Sequence, residues 1–209
     1  MDERKTTRQL QAEASREKLQ RIVMELSMTR SLDDIRIREI CDAAGMSLGN
    51  FYQYFESKEA ALIYSYKVKD DEWRSEHFED IADPAERAKT IVFTHLRSMV
   101  AHPLCFDTQL YLAQLKQYDE YFFTPDRYLH RVLREAIAEG QEKGEFRTEH
   151  APAVITRRIL NFTRGLVYNY CIEHKEDPEG FLAEATACQQ EYMNLFLTEA
   201  CRFSISCEY

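Results

Sequence analysis

Apolar residues recur at helical spacing along almost the whole of this chain. Leu19, Ile22, Val23 and Leu26 follow the i, i+3, i+4, i+7 pattern that places side chains on one face of an α-helix. The alternation of apolar and polar residues that is typical of a half-buried strand is nearly absent. With 209 residues, the chain is long enough to bury a substantial core. The sequence therefore predicts an all-α protein of about nine helices.

Capping residues place the helix boundaries in the N-terminal part. The second helix begins at Asp33 or Asp34 and ends at Gly45, because a tight turn between helices needs a residue that tolerates positive φ. Ser47 caps a short third helix. Ser57 caps a long fourth helix that runs to about residue 80.

Two proline pairs mark later boundaries. Asp83-Pro84 and Thr124-Pro125 each combine an N-cap residue with a proline at the first helical position. The helices of this part are predicted at about 84–101, 104–120, 125–143, 151–175 and 179–203.

Cysteine usage and hydropathy indicate a reducing compartment. The six cysteines form no CxxC pair and no cluster with histidine, which argues against a disulfide framework and a structural zinc site. A redox-sensing thiol remains an open alternative. No apolar run reaches the roughly 18 residues that cross a bilayer, and the first twenty residues are polar, so we expect a cytoplasmic protein.

The acidic charge of the chain is unevenly distributed. The net charge is −9, yet the first 58 residues carry as many basic as acidic side chains. A DNA-binding surface needs only a local basic footprint. The basic residues that could begin one are Arg4, Lys5, Arg8, Arg16, Lys18 and Arg21.

The segment 37–58 combines two short helices with a glycine turn. This arrangement can place the second of the two helices in the major groove of DNA, which is just wide enough for an α-helix. Phe51 and Phe55 are expected to face inward. The positions left for the exposed and flanking faces of the second helix of this pair are Leu48, Asn50, Tyr52, Gln53 and Tyr54. Amides and hydroxyls can contact base edges and phosphates, and Gly49 lets the backbone approach closely.

Lys58 follows the predicted cap Ser57 at the positive end of a helix, where a cation is slightly disfavoured. A phosphate group there would be attracted by the helix N-terminus and by the ammonium together. A solvated surface lysine is the alternative, and Tyr52 and Tyr54 could likewise be core aromatics.

Residues 19–62 resemble the N-terminal domain of TetR-family regulators. The residues that carry the resemblance are Ile40, Ala43-Ala44-Gly45-Met46-Ser47, Gly49, Tyr52, Tyr54-Phe55, Ser57-Lys58-Glu59 and Leu62. The resemblance implies a helix-turn-helix DNA-binding domain over 1–56. It also implies a helical domain over 57–209 that dimerises and holds an effector.

The resemblance also implies DNA-binding roles for individual residues. Base-reading positions correspond to Ser47, Leu48, Gly49, Asn50 and Gln53, and phosphate contacts to Arg36, Tyr52, Tyr54 and Lys58. Three positions depart from the family pattern, namely Ser31, Leu48 and Asn50, and they leave the operator sequence open.

Two long amphipathic helices close the chain, over about 151–203. Two such helices from each subunit could form a four-helix interface with two-fold symmetry, and such a homodimer would bind a pseudo-palindromic operator. Core packing within one subunit uses the same apolar stripes and is the alternative.

The middle of the chain is rich in aromatic residues. A cavity with aromatic walls and a few polar groups suits a hydrophobic or aromatic effector, although plain core packing is an alternative for each residue. The predicted pocket residues are Phe93, His95, Leu96, Met99, Tyr111, Tyr118, Phe162, Arg164, Leu166 and Tyr170.

Two other functions compete with a ligand-responsive repressor. One is a DNA-binding dimer that has no effector, and the other is a helical enzyme. We predict no enzymatic activity, catalytic residue, metal site or cofactor, because the sequence has no nucleophile motif, no glycine-rich phosphate loop and no HExxH.

Overall fold

A computed structural model describes residues 6–173 and 177–203, and it confirms the all-α prediction. The α-helices are α1 (Thr7–Ser27), α2 (Ile37–Ala44), α3 (Leu48–Tyr54), α4 (Lys58–Ile63), α5 (Ser65–Trp73), α6 (Pro84–Met99), α7 (Leu104–Gln117), α8 (Tyr128–Glu142), α9 (Pro152–Glu173) and α10 (Pro178–Asn194). Within these ranges the extended backbone forms a single isolated bridge, between Phe146 and Leu197.

The helices in the described part of the chain are all too short or too polar to cross a bilayer.

The chain divides into two compact units. Unit 1 consists of Met1–Lys69 and Cys105–Glu120, and unit 2 consists of Asp70–Leu104 and Tyr121–Tyr209. Helix α7 therefore belongs to the same unit as α1–α4, although about forty residues of sequence separate it from them.

The core of unit 1 forms where the apolar faces of short helices meet. Helix α1 contributes Leu19 and Val23, helix α2 contributes Ile40, and helix α3 contributes Phe51, all of them fully buried. The Phe55 ring lies 6.0 Å from that of Phe51, so aromatic contacts continue beyond the end of α3.

The core of unit 2 lies between α6, α8 and α9, with α10 packed on α9 and α6. Ile91, Leu133 and Ile159 contribute one fully buried side chain from each of the three central helices. Gly140 on α8 permits close approach of Phe146, because a Cβ at that position would lie 2.5 Å from the Phe146 ring. A larger residue at position 140 would displace Phe146 from the core.

The predicted cap residues around the helix-turn-helix segment are largely confirmed. Gly45 adopts φ 65° at the end of α2, and Ser47 and Ser57 cap α3 and α4 with their side chains. The predicted start of α2 is wrong, because Asp33 and Asp34 lie in a 3-10 turn and α2 begins after Arg36.

The predicted fourth helix is also wrong in its extent. The helix is interrupted at Tyr64 and ends at Trp73 rather than near residue 80. The Ser65 hydroxyl donates to the Leu62 carbonyl oxygen at 2.7 Å, and such a bond competes with the helical ladder. Beyond Trp73 the chain forms two 3-10 turns on either side of His77, whose φ is 47°.

Two later helices differ from prediction at one end. Helix α8 begins at Tyr128 rather than at Pro125, because the residues before it form a 3-10 turn that ends at Phe123. Helix α10 ends at Asn194 rather than near 203, because the following residues extend to pair with the segment around Phe146. The predicted end of α9, at residues 174–175, lies outside the described residues.

Candidate nucleic-acid interface

The turn between α2 and α3 depends on Gly45. Its φ of 65° and ψ of 35° are left-handed, and its N–H donates to the Asp42 carbonyl oxygen at 3.1 Å. The next N–H, of Met46, returns to the Cys41 carbonyl oxygen at 2.9 Å. These two bonds occupy the last carbonyls of α2 and reverse the chain within two residues.

The start of α3 is fixed by a capping box between Ser47 and Asn50. The Ser47 hydroxyl accepts the Asn50 N–H at 3.2 Å, and the Asn50 side-chain oxygen accepts the Ser47 N–H at 3.2 Å. Asn50, predicted from the resemblance to read bases, thus uses its carbonyl oxygen to hold the helix terminus. The hydrogen bond to the Asn50 side-chain oxygen also fixes the orientation of the side-chain nitrogen of the same amide group.

Helix α3 has one buried face and one exposed face. Phe51 is fully buried and Phe55, just after the helix, is nearly so, as predicted. Tyr52 is 54% exposed, and the other exposed positions of the helix are Leu48, Gly49, Asn50 and Gln53. Tyr54 is half-buried at the edge between the two faces.

Lys58 is engaged within the domain. Its ammonium donates to the carbonyl oxygens of Asp33 and Ile35, each at 3.0 Å. An ammonium has three N–H donors, so these bonds leave one for a further acceptor. Lys58 therefore joins α4 to the segment that leads into α2, where Arg36 is exposed. The sequence pattern gave no signal for this bond.

The basic residues of α1 fall into two groups. Arg8, Lys18 and Arg21 are exposed. Arg16 instead lies over the aromatic rings that follow α3, 5.3 Å from the Tyr64 centroid and 6.0 Å from that of Phe55. Arg4 and Lys5, also predicted to be part of the basic footprint, lie outside the described residues.

Helix α7 contacts the helix-turn-helix segment through Gln109, a residue that the sequence analysis did not single out. The buried Gln109 amide donates to the carbonyl oxygens of Ser27, at 2.8 Å, and Arg30, at 3.2 Å, and accepts the Leu32 N–H. One side chain thus fixes the end of α1 and the turn that precedes α2. At the other end of α7, Lys116 pairs with Asp33 at 3.2 Å.

The predicted effector residues are divided between the two units. Tyr111 and Tyr118 belong to unit 1, and Tyr118 is 84% exposed. The others belong to unit 2: Phe93, His95, Leu96, Met99, Phe162, Arg164, Leu166 and Tyr170. Phe162 stacks on Tyr192 with ring centroids 4.2 Å apart, and Tyr170 stacks on Phe181 at 4.3 Å. These two aromatics join α9 to α10.

Three clefts lie on the surface of unit 2. The larger two, of about 470 and 440 Å³, are lined partly by Lys89 and Phe203 and by Arg158 and Tyr192 respectively. The third, of about 270 Å³, lies beside Tyr128. None of the three is lined by a predicted effector residue.

Helices α2 and α3, joined by the turn at Gly45, form a helix-turn-helix, a motif found in many DNA-binding regulators. Residues 24–63 match the family model described as "Bacterial regulatory proteins, tetR family". This match covers most of the segment whose sequence resembles the N-terminal domain of TetR-family regulators, as predicted. No curated protein matches it by sequence at a significant level.

Solved structures share the fold over most of the chain. A TetR transcription regulator from Haloarcula marismortui ATCC 43049 is 20% identical with a TM-score of 0.64, over 89% of this chain and 100% of that one. FadR from Bacillus subtilis, in complex with stearoyl-CoA, is 15% identical with a TM-score of 0.62, over 84% and 96%. FadR from Thermus thermophilus, in complex with lauroyl-CoA, is 19% identical with a TM-score of 0.60, over 88% and 96%.

Proposed function

We propose that this protein is a homodimeric repressor that binds a pseudo-palindromic operator and is released from it by a small apolar effector. The observation that carries DNA binding is the helix-turn-helix segment, whose family match coincides with an exposed, rigidly capped α3. A protein with this role acts in the cytoplasm, where its DNA is. We propose a regulatory rather than a catalytic role for this protein.

In this proposal α3 enters the major groove. Gln53 reads base edges, Tyr52 and Tyr54 contact phosphates, Leu48 makes apolar contact with a base edge, and Gly49 allows close approach of the backbone. The capping box of Ser47 and Asn50 sets the angle of α3, and the Asn50 amide nitrogen faces the DNA. Support comes from the exposure of Tyr52 and Gln53 beside the buried Phe51.

Lys58 and Arg36 act at the border of this surface. The third N–H of the Lys58 ammonium is proposed to reach a phosphate, while the other two hold the segment before α2. Exposed Arg36 lies in that same segment and is proposed to contact the DNA backbone. Both residues therefore couple phosphate binding to the position of α2.

Homodimerisation is proposed through α9 and α10, within 151–203. Large apolar side chains of this part remain exposed in the single chain: Tyr168, Ile172 and Leu195. Burying them against a second copy would remove apolar surface from water and form a symmetric four-helix contact. Phe196 beside them is buried within unit 2 and belongs to its core.

The effector is proposed to bind unit 2 and to weaken operator binding. Two proteins of the same fold are described in complex with stearoyl-CoA and lauroyl-CoA, which have long apolar chains. A ligand acts only through unequal affinities for two conformations of the protein. A DNA-binding dimer without any effector remains the second candidate, and ligand-independent operator binding would favour it.

Gln53→Ala should reduce discrimination between the operator and bulk DNA without abolishing DNA binding. A lost bidentate base contact costs about 1–3 kcal/mol of discrimination, which is roughly 5- to 150-fold. The measurement is a competition assay with genomic fragments that the purified wild-type protein selects. Glu142→Ala, which truncates an exposed side chain on α8, outside both proposed binding surfaces, should leave that discrimination unchanged. Equal discrimination by wild type and Gln53→Ala would remove this residue from base reading.

A further inference from the structure

One surface cleft of unit 2, here called the arginine cleft, brings basic and aromatic side chains together. Its volume is about 440 Å³, within the range of about 300–1,000 Å³ that small-molecule sites occupy. It is lined by the segment between α8 and α9, by the first turns of α9, and by the end of α10 with the residues that follow it. Its polar lining residues are Arg147, Glu149, His150 and Arg158.

The segment that carries Arg147 and His150 is held in place from two sides. The side-chain nitrogen of Gln141, on α8, donates to the carbonyl oxygens of Arg147 at 2.7 Å and of His150 at 2.8 Å. The Arg147 N–H donates to the Phe196 carbonyl oxygen at 2.8 Å, which joins the same segment to the chain after α10. The polar edge of the cleft is therefore formed before a ligand binds, which lowers the cost of binding one.

Both guanidinium groups of the arginine cleft have donors to spare. Arg147 donates through Nε to the Leu197 carbonyl oxygen at 3.1 Å, and its two terminal nitrogens have no partner among the described residues. Arg158 is exposed and forms no hydrogen bond or ion pair within the described chain. Glu149 lines the same cleft but pairs with neither arginine. A guanidinium has five N–H donors, so most of those in the cleft are available to a ligand.

The arginine cleft carries an excess of positive charge. Two guanidinium groups and one carboxylate line it, which leaves about one positive charge without counting the His150 imidazole. The other two clefts of unit 2 are each lined by equal numbers of acidic residues and of lysines or arginines. In those clefts Lys89 pairs with Glu86 at 2.6 Å and Arg131 pairs with Glu135 at 3.1 Å. Of these three clefts, the arginine cleft is therefore the one whose charge suits a monoanion.

The rest of the lining is apolar and aromatic. Ile155 and Phe196 are buried, and Tyr192 is half-buried between them and solvent. The Tyr192 ring stacks on Phe162 with centroids 4.2 Å apart and lies edge-on to Phe196 at 5.4 Å, so its orientation is fixed. A flat apolar group can pack on such a surface. Leu195 also lines the cleft and belongs to the proposed dimer contact, so the cleft lies at the border of that contact.

We propose that the arginine cleft binds the carboxylate of an aromatic effector, with Arg147 and Arg158 at the carboxylate and Tyr192 beside the ring. The planar guanidinium matches a carboxylate through parallel N–H bonds. This inference rests on the proposed function, because it gives the ligand of unit 2 a place and a chemical class.

The test compares aromatic acids with their uncharged amides on the full chain. The probes are 2-naphthoic acid with 2-naphthamide, and 3-phenylpropionic acid with 3-phenylpropionamide, measured by calorimetry. We expect wild type to bind at least one acid about tenfold more tightly than its amide, because charge-assisted hydrogen bonds form only with the acid. This preference should decline as salt rises, because both arginines are exposed.

Two adjacent arginines on α9 give a matched pair of variants. Arg158→Met should weaken binding of the acid about fivefold or more and leave binding of the amide unchanged. Arg157→Met removes an exposed arginine that does not line the cleft, and it should change neither affinity. Circular dichroism checks that both variants are folded.

Glu149 provides a readout of opposite sign. Glu149→Gln should strengthen binding of the acid, because it removes the carboxylate that repels the ligand. A gain of affinity cannot come from loss of structure. Equal affinity of wild type for acid and amide, no binding of either acid, or equal losses in Arg157→Met and Arg158→Met would overturn the carboxylate site.

Operator binding measured on the same preparations separates this inference from the proposed function. Operator binding by a wild type that shows no preference for acids would contradict the arginine cleft alone. Acid binding that depends on Arg158, in a protein that prefers no DNA sequence, would support the cleft and contradict the proposed function.

Discussion

Asp70→Ala should lower the free energy of unfolding by about 3–5 kcal/mol, because it leaves the Arg127 guanidinium buried without its counter-ion. The two side chains share bonds of 2.8 Å and are almost completely excluded from solvent. The Tyr121 hydroxyl loses its acceptor in the same change. The single tryptophan, Trp73, lies three residues away, so urea unfolding followed by its fluorescence reports on this region directly.

The neighbouring carboxylate provides the control. Asp71 pairs with Arg74 at 3.2 Å on the exposed surface, and Asp71→Ala should change the free energy of unfolding by less than about 1 kcal/mol. Replacing both partners of the buried pair, as in Asp70→Leu with Arg127→Met, should recover much of the loss, since no charge is then left unpaired. If Asp70→Ala behaved like Asp71→Ala, the buried pair would have no structural role.

Asp107→Asn should stabilise the protein at neutral and alkaline pH, by roughly 3–5 kcal/mol near pH 8. Asp107 is 4% exposed, and burial raises the pKa of its carboxyl to about 8. Its Oδ2 has no hydrogen-bond partner among the described residues. The folded protein therefore holds a proton that the unfolded chain releases near pH 4, so stability falls as pH rises from about 4 to 8. An asparagine side chain does not ionise, so the variant does not lose stability in this way over this pH range.

Thermal unfolding of wild type and variant from pH 5 to 9 checks this sign. Burial lowers the pKa of His130 to about 4, and this has the opposite effect on stability below about pH 6.5, where the unfolded chain binds the proton that the folded protein excludes. That effect is common to both proteins and cancels in their difference. The difference in thermal stability between wild type and Asp107→Asn should widen as pH rises to about 8. Asp126→Asn, which replaces an exposed carboxyl, should give no such widening. Parallel curves for wild type and Asp107→Asn would contradict a buried neutral carboxyl.

Local signals predicted the helix-turn-helix segment well. The left-handed turn at Gly45 and the caps at Ser47 and Ser57 depend on residues within four positions of one another, which a sequence displays directly. The buried face of α3 followed from the spacing of Phe51 and Phe55. These features rest on hydrogen bonds and periodicity inside single helices and turns.

Long-range polar contacts could not be predicted in this way. Gln109 binds the Ser27 carbonyl across 82 positions, and Lys58 binds the Asp33 carbonyl across 25. Nothing in the local pattern distinguishes these side chains from solvated ones. The same limit applies to the aromatics, because spacing alone does not tell a stacked core ring such as Phe162 from an exposed one such as Tyr118.

The most direct test of DNA binding is a hydroxyl-radical footprint of the purified full chain on fragments selected from its own genome. A dimeric operator-binding regulator should protect two half-sites related by two-fold symmetry, with centres about 34–36 Å apart, one turn of B-DNA. Affinity for these fragments should exceed that for bulk DNA and should fall as salt rises. Failure to prefer any fragment over bulk DNA, or a single protected site without two-fold symmetry, would contradict a dimeric operator-binding regulator.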